Sequence, residues 1–181
     1  MGRLVAGLLA GTGLAGTGLA GLGVGQAAWA NQPAWQQPPP QLLPIEARWC
    51  LEPGRCIELE VADEPHEQAK GLQLRPPLPA LRGMWFPFDR PTPARFWMHR
   101  TPESLDMLFV RDGRVVAIEA RTQPCMQLPC RSYGPDEPVD GVIELGAGQA
   151  EAKGIGLGTP VRIEPLAAQL RGGNRRAPAP G

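Results

Sequence analysis

Neither sign of charge is in excess in this chain: 18 lysines and arginines stand against 18 aspartates and glutamates in 181 residues. A protein that follows a nucleic-acid backbone carries a basic stripe, so this balance argues against nucleic acid as a partner. Histidine occurs only twice. His66-Glu67 lacks the second histidine of an HExxH zinc protease, and no GxSxG elbow, Walker loop or dinucleotide fingerprint is present. "GAGQAEAKGIG" at 146–156 begins like a nucleotide loop, but it leads into a terminal strand without a βαβ unit. No CxxC pair occurs among the four cysteines, which argues against a disulfide oxidoreductase. A zinc site built from them with His66 or His99 would lack paired CxxC knuckles. No metal and no cofactor is expected.

Charge is scarcest at the start. Arg3 is the one charged residue before residue 31, and Leu4 to Gly25 runs uncharged. A positive n-region, an apolar stretch and the small-x-small pattern of Ala28-Trp29-Ala30 together read as a signal peptide over 1–30, cleaved before Asn31. The alternative is an uncleaved anchor, since the run approaches the ~20 residues that span a bilayer. Its many glycines make poor helix material, and they also rob the Gly7-x-x-x-Gly11 spacing of meaning as a helix-pairing motif. Membrane contact is expected only if the segment stays attached. The residue immediately after the cleavage point is Asn31 rather than cysteine, so an N-terminal lipid anchor is not indicated. The expected location is extracytoplasmic, periplasmic or secreted.

Export changes how the cysteines read, because an even count in an oxidising compartment suggests disulfides. Cys50 and Cys56 flank "LEPGR", a turn-forming stretch, while Cys125 and Cys130 flank "MQLP". Two local bridges are the economical pairing among three connectivities.

Asn31 to Pro44, "NQPAWQQPPPQLLP", reads as a proline-rich, extended and mobile linker. Residues 166–181, with Gly-Gly, Arg-Arg and Ala-Pro repeats, read as a disordered tail. The folded unit is then 45–165. Strand signals dominate it: a hairpin over 45–50 and 56–61, then 84–88, 95–98, 107–111, 114–120, 139–145 and 161–164. Asp112-Gly113 marks a type I′ hairpin turn. Asp63 can cap a helix from Glu64 to about Leu74 with Pro65 in its first turn, and a second short helix follows residue 146. The expected fold is mainly β (α+β), a single compact barrel-like or strongly bent sheet of about seven short strands with two short helices.

Taken in order, "AKGLQLRPPL", "GMWFPF", "FWMHRTPESLDMLFV", "DGRVVAIEA", "PCMQLPC-RSYG" and "VIELGAGQAEAKGIGLG" resemble the bacterial and archaeal family called domain of unknown function 192. The resemblance runs from about Ile45 to Glu164. It implies a small, mainly β single domain, often behind a signal peptide, and no established reaction. Two positions depart from the family's habit. His99-Arg100 stands where Lys-Asn is common, and Gln73 stands where the Gly-Leu-x-x-Arg stretch commonly has methionine.

Asp106 is the sharpest chemical feature, a carboxylate between Leu105 and Met107-Leu108-Phe109. In such company it must face outward, find donors, or have its pKa raised by burial. One reading is structural, with backbone N–H groups as partners. The other places it in a polar pocket with Thr101 and one cation from Arg75, Arg95, His99 or Arg100, and with Tyr133 carried over the pocket by its loop. The aromatic pairs Trp85-Phe86 and Phe96-Trp97 alternate along strands, so one of each pair is expected inside and the other free to stack a flat ligand. His99 can titrate near neutrality. Arg75, Trp97, His99, Arg100, Thr101, Asp106 and Tyr133 are therefore the candidate ligand-binding residues. The leading expectation is a non-enzymatic exported module binding a small or glycan-like ligand, or a partner protein, through the 95–106 face. The alternative is a hydrolase using Asp106 with His99 or Arg100.

Overall fold

A computed structural model of the chain describes residues 38–166. The expected signal peptide, the first half of the linker and the tail from 167 lie outside the described residues. Strand β1 (Ile45–Glu52) turns at Pro53-Gly54 into β2 (Arg55–Val61), and helix α1 (Pro65–Lys70) follows. Then come β3 (Arg82–Thr92), β4 (Phe96–Trp97), β5 (Leu105–Arg111), β6 (Arg114–Thr122), β7 (Ser132–Tyr133), β8 (Val139–Gly146), α2 (Gln149–Ala152) and β9 (Ile163–Pro165). Seven strands form one sheet in the order β6-β5-β8-β3-β2-β1-β9, and β4 pairs with β7 in a separate ribbon. All pairings are antiparallel except β2 with β3.

The sheet is strongly bent but does not close through its ladders. Residues 156–161 span the gap instead: Val115 N–H on the edge strand β6 donates to Thr159 O at 3.0 Å, and Trp49 Nε1–H on β1, next to the other edge strand β9, donates to Pro160 O at 3.1 Å. The hairpin turn at Asp112-Gly113 has positive φ at both residues, 49° and 66°, as a type I′ turn requires. Both cysteine pairs are bridged locally, Cys50 to Cys56 and Cys125 to Cys130. Bridges of this kind belong to an oxidising, extracytoplasmic compartment. Among the described residues, no helix is long and apolar enough to cross a membrane.

Alternation along the central strands gives the molecule two cores. Trp49, Ile57, Leu59, Leu108, Ile143 and Leu145 pack with Ala150 of α2 on one face. Met84, Phe86, Met98, Met107, Phe109 and Val142 pack on the other, beneath Leu72 and Tyr133. With both faces covered, β5 reads as an almost unbroken buried run. Burial of each large side chain here contributes roughly 1.5–3 kcal/mol.

Several boundaries differ from those read in the sequence. Helix α1 stops at Lys70 rather than Leu74, because Gly71 takes a φ of 47° and residues 71–74 turn back toward the sheet. Its N-cap is Glu64, not Asp63, in a capping box with Glu67. Strand β7 has no counterpart among the strand signals of the sequence, because two residues carry too little alternation to register. Part of the linker is held rather than mobile. Gln41 Nε2–H donates to Glu67 O and Gly71 O, and Leu43 N–H donates to the Glu60 carboxylate at 3.0 Å.

Candidate functional site

The ribbon of β4 and β7 builds the 95–106 face. Phe96 points inward and meets Phe86 and Phe109 edge to face, with centroids 5.1 and 6.3 Å apart. Its neighbour Trp97 therefore points outward and is 50% exposed, while its register partner is Ser132. The His99 ring lies 5.3 Å from the Trp97 ring, tilted by 51°. Partial burial and then the Arg100 charge hold the His99 pKa below its ordinary value, so the ring is neutral at pH 7.

The disulfide loop fixes this corner. Cys125 pairs with His99 in an isolated bridge, its N–H donates to Met98 O at 3.2 Å, and its carbonyl accepts Arg100 N–H at 2.8 Å. Arg100 adopts a left-handed φ of 58°, and its carbonyl accepts Leu74 N–H at 2.7 Å, tying the 71–75 turn to the face. Thr101 is buried, with its N–H donating to Met98 O at 3.0 Å. Tyr133 is also buried; its hydroxyl accepts Gln123 N–H at 3.1 Å and Arg131 covers its ring at 4.9 Å. Arg95 is spent on its own loop, bound to Asp136 at 2.6 Å and to the carbonyls of Gly134 and Pro135. Trp97, His99, Arg100, Thr101 and Tyr133 thus gather in one corner.

Asp106 does not join them. It is 1% exposed and pairs with Leu145, on the α2 side of the sheet. Oδ2 accepts Ala150 N–H in the first turn of α2, and Oδ1 accepts Arg121 N–H, each at 2.9 Å. Arg121 sits at φ 50° where β6 gains a bulge opposite Asp106, between the Leu105–Thr122 and Met107–Glu119 pairs. The pocket expected around Asp106, with Thr101 and a cation, is therefore not what the chain builds. Strand parity sends Leu105 and Met107 to one face and Asp106 to the other, and its partners are backbone amides.

Arg75 does sit on the Met84 face, but with a partner the sequence reading missed. Its Nη1 lies 2.6 Å from Glu60 Oε2, and both side chains are about nine-tenths buried. Arg75 Nε is buried and has no hydrogen-bond partner among the described residues. In the next strand but one stands a second missed carboxylate, Glu144, 4% exposed. Burial pushes its pKa up to about 8, and among the described residues no neighbouring charge or hydrogen bond offsets that push. The signal that singled out Asp106 was present at Glu144 as well, a lone acid between Val142-Ile143 and Leu145. Among the described residues, no three of His, Cys, Asp and Glu gather closely enough to hold a metal.

Fold and site together define a small, single-domain, mainly β protein whose bent sheet is covered on both faces. A family model, DUF192, uncharacterized ACR, matches residues 50–163, and the chain belongs to that family. No curated protein matches it. A solved structure of a candidate transcription regulator from Sinorhizobium meliloti is 31% identical, with a TM-score of 0.55 over 66% of this chain and 92% of that one. Another, of a protein of unknown function from Novosphingobium aromaticivorans, is 30% identical, with a TM-score of 0.57 over 74% of this chain and 97% of that one.

Proposed function

We propose that the protein is an exported, non-enzymatic module that binds a small or glycan-like ligand through the corner made by Trp97, His99, Arg100 and the Cys125–Cys130 loop. The observation that carries this reading is Trp97 itself, half exposed on a two-residue strand whose other side chain, Phe96, is partly buried and packed against the core. An aromatic face held in place by its backbone loses little freedom when a flat ligand stacks on it. The neutral His99 ring beside it supplies a donor and an acceptor, and Arg100 supplies a cation. The hydrolase alternative has less support, because Asp106 is occupied by two amides on the opposite face from His99. A regulator's role like that described for the Sinorhizobium relative also has little support, since the balanced total charge lacks the excess of basic residues expected of a DNA-binding domain.

A thermal-shift screen of the mature protein against glycans and small metabolites, with Trp97→Ala run in parallel, tests the proposal. Ligands that raise the melting temperature of the wild type but not of the variant support it. Hits that stabilise both equally contradict it.

A further inference from the structure

Three side chains from distant parts of the sequence stand in one row across the sheet. Glu144 on β8 is paired with Met84 on β3 and with Met107 on β5. Directly opposed residues on antiparallel strands share a face with Cβ atoms about 4.5–5.5 Å apart, so two methionines flank one glutamate on the same face. Both methionines are fully buried, and Glu144 is nearly so. The adjoining member of the row, Glu60 beside Met84, is already neutralised by Arg75. Glu144 has no such partner among the described residues.

We propose that Met84, Glu144 and Met107 form a binding site for a soft monovalent metal ion, Cu(I) or Ag(I). Thioether sulfur is a soft ligand that selects such ions over Zn(II), Ca(II) or Mg(II). Charge points the same way. One carboxylate and one monovalent cation leave the buried row neutral, whereas a divalent ion would strand a positive charge in a dry site. Calcium needs six to eight oxygens, and structural zinc needs four ligands drawn mainly from cysteine and histidine; the row offers neither set. Both cysteine pairs are consumed as disulfides and none is free. In an oxidising compartment, thioether is the sulfur ligand that disulfide formation does not remove. The site was invisible in the sequence because its residues are brought together only by strand register.

The test uses the full chain, treated with a chelator and titrated calorimetrically with Ag(I) in chloride-free buffer. Met107→Leu and Glu144→Gln preserve shape, and Met126→Leu removes an exposed methionine as a control. The proposal expects one equivalent bound with a rise in melting temperature, affinity reduced at least 10-fold in Met107→Leu and in Glu144→Gln, no change in Met126→Leu, and no response to Zn(II). Absence of saturable Ag(I) binding overturns it. So does binding that Met126→Leu abolishes while the other two variants retain it, or equal stabilisation by Zn(II).

Discussion

The carboxylate of Asp106 joins Ala150, 44 residues further along the chain, by accepting its backbone N–H at 2.9 Å, and its second oxygen does the same for Arg121. One side chain therefore fastens β5 to the first turn of α2 and to the bulge of β6. Charge-assisted bonds of this kind are about twice as strong as neutral ones. Asp106→Asn would turn an amide N–H₂ toward one of the two N–H donors, and it should cost about 2 kcal/mol of stability in urea unfolding. Ligand responses at Trp97 should survive in the folded fraction. Unchanged stability would remove the structural role assigned to Asp106.

The pair of Arg75 and Glu60 should behave as a coupled unit. Arg75→Met alone leaves Glu60 buried with only the Leu43 amide as partner, at a cost of roughly 3–5 kcal/mol. Adding Glu60→Gln to that variant should recover part of the loss. A double-mutant cycle read by denaturant unfolding checks this, and additive effects would count against it.

The contrast between these two acids marks what the sequence could convey. The apolar neighbours of Asp106 advertised a carboxylate in need of partners, and the hairpin at Asp112-Gly113 and both cysteine bridges were legible from local chemistry. What hid the actual partners was distance along the chain. Arg121 offers its amide only because β6 bulges, and Ala150 offers its own only because α2 folds onto that face. Parity could have placed Asp106 away from Leu105 and Met107, but which face held Thr101 depended on the loop from Met98 to Ser104. Glu144 carried the same local signal and went unread, and its flanking methionines come from strands 37 and 60 residues earlier, differences that pairing alone reveals.

Glu144 makes stability depend on pH. Its pKa in the folded chain, about 8, lies above its ordinary value of 4.5, so the folded state holds a proton that the unfolded chain has released. The resulting stability is complete below about pH 4.5 and is lost as pH rises through 8, over a range worth on the order of a few kcal/mol. In chelator-treated protein, Glu144→Gln, which mimics the protonated acid, should flatten this dependence between pH 5 and 9. Parallel melting curves of wild type and variant would contradict the assignment.

The Cys125–Cys130 bridge should matter more for the ligand corner than for the fold. Closing so short a loop restrains the unfolded chain by only about 2 kcal/mol. The double variant Cys125→Ala/Cys130→Ala should therefore remain folded with modestly reduced stability. It should lose ligand responses, because without the bridge nothing covalent holds the 125–130 loop, whose Cys125 backbone N–H and carbonyl pair with Met98 and Arg100, against the corner. Retained ligand responses in the folded variant would show that the bridge is not needed to shape the corner.

The central claim is where a ligand sits, and amide chemical-shift mapping of a screening hit on isotope-labelled mature protein tests it most directly. The account predicts that perturbations concentrate on residues 95–101 and 125–133, with the indole N–H of Trp97 among the largest. Perturbations concentrated instead around Asp106, Arg121 and Ala150, with the Trp97 indole unmoved, would contradict it.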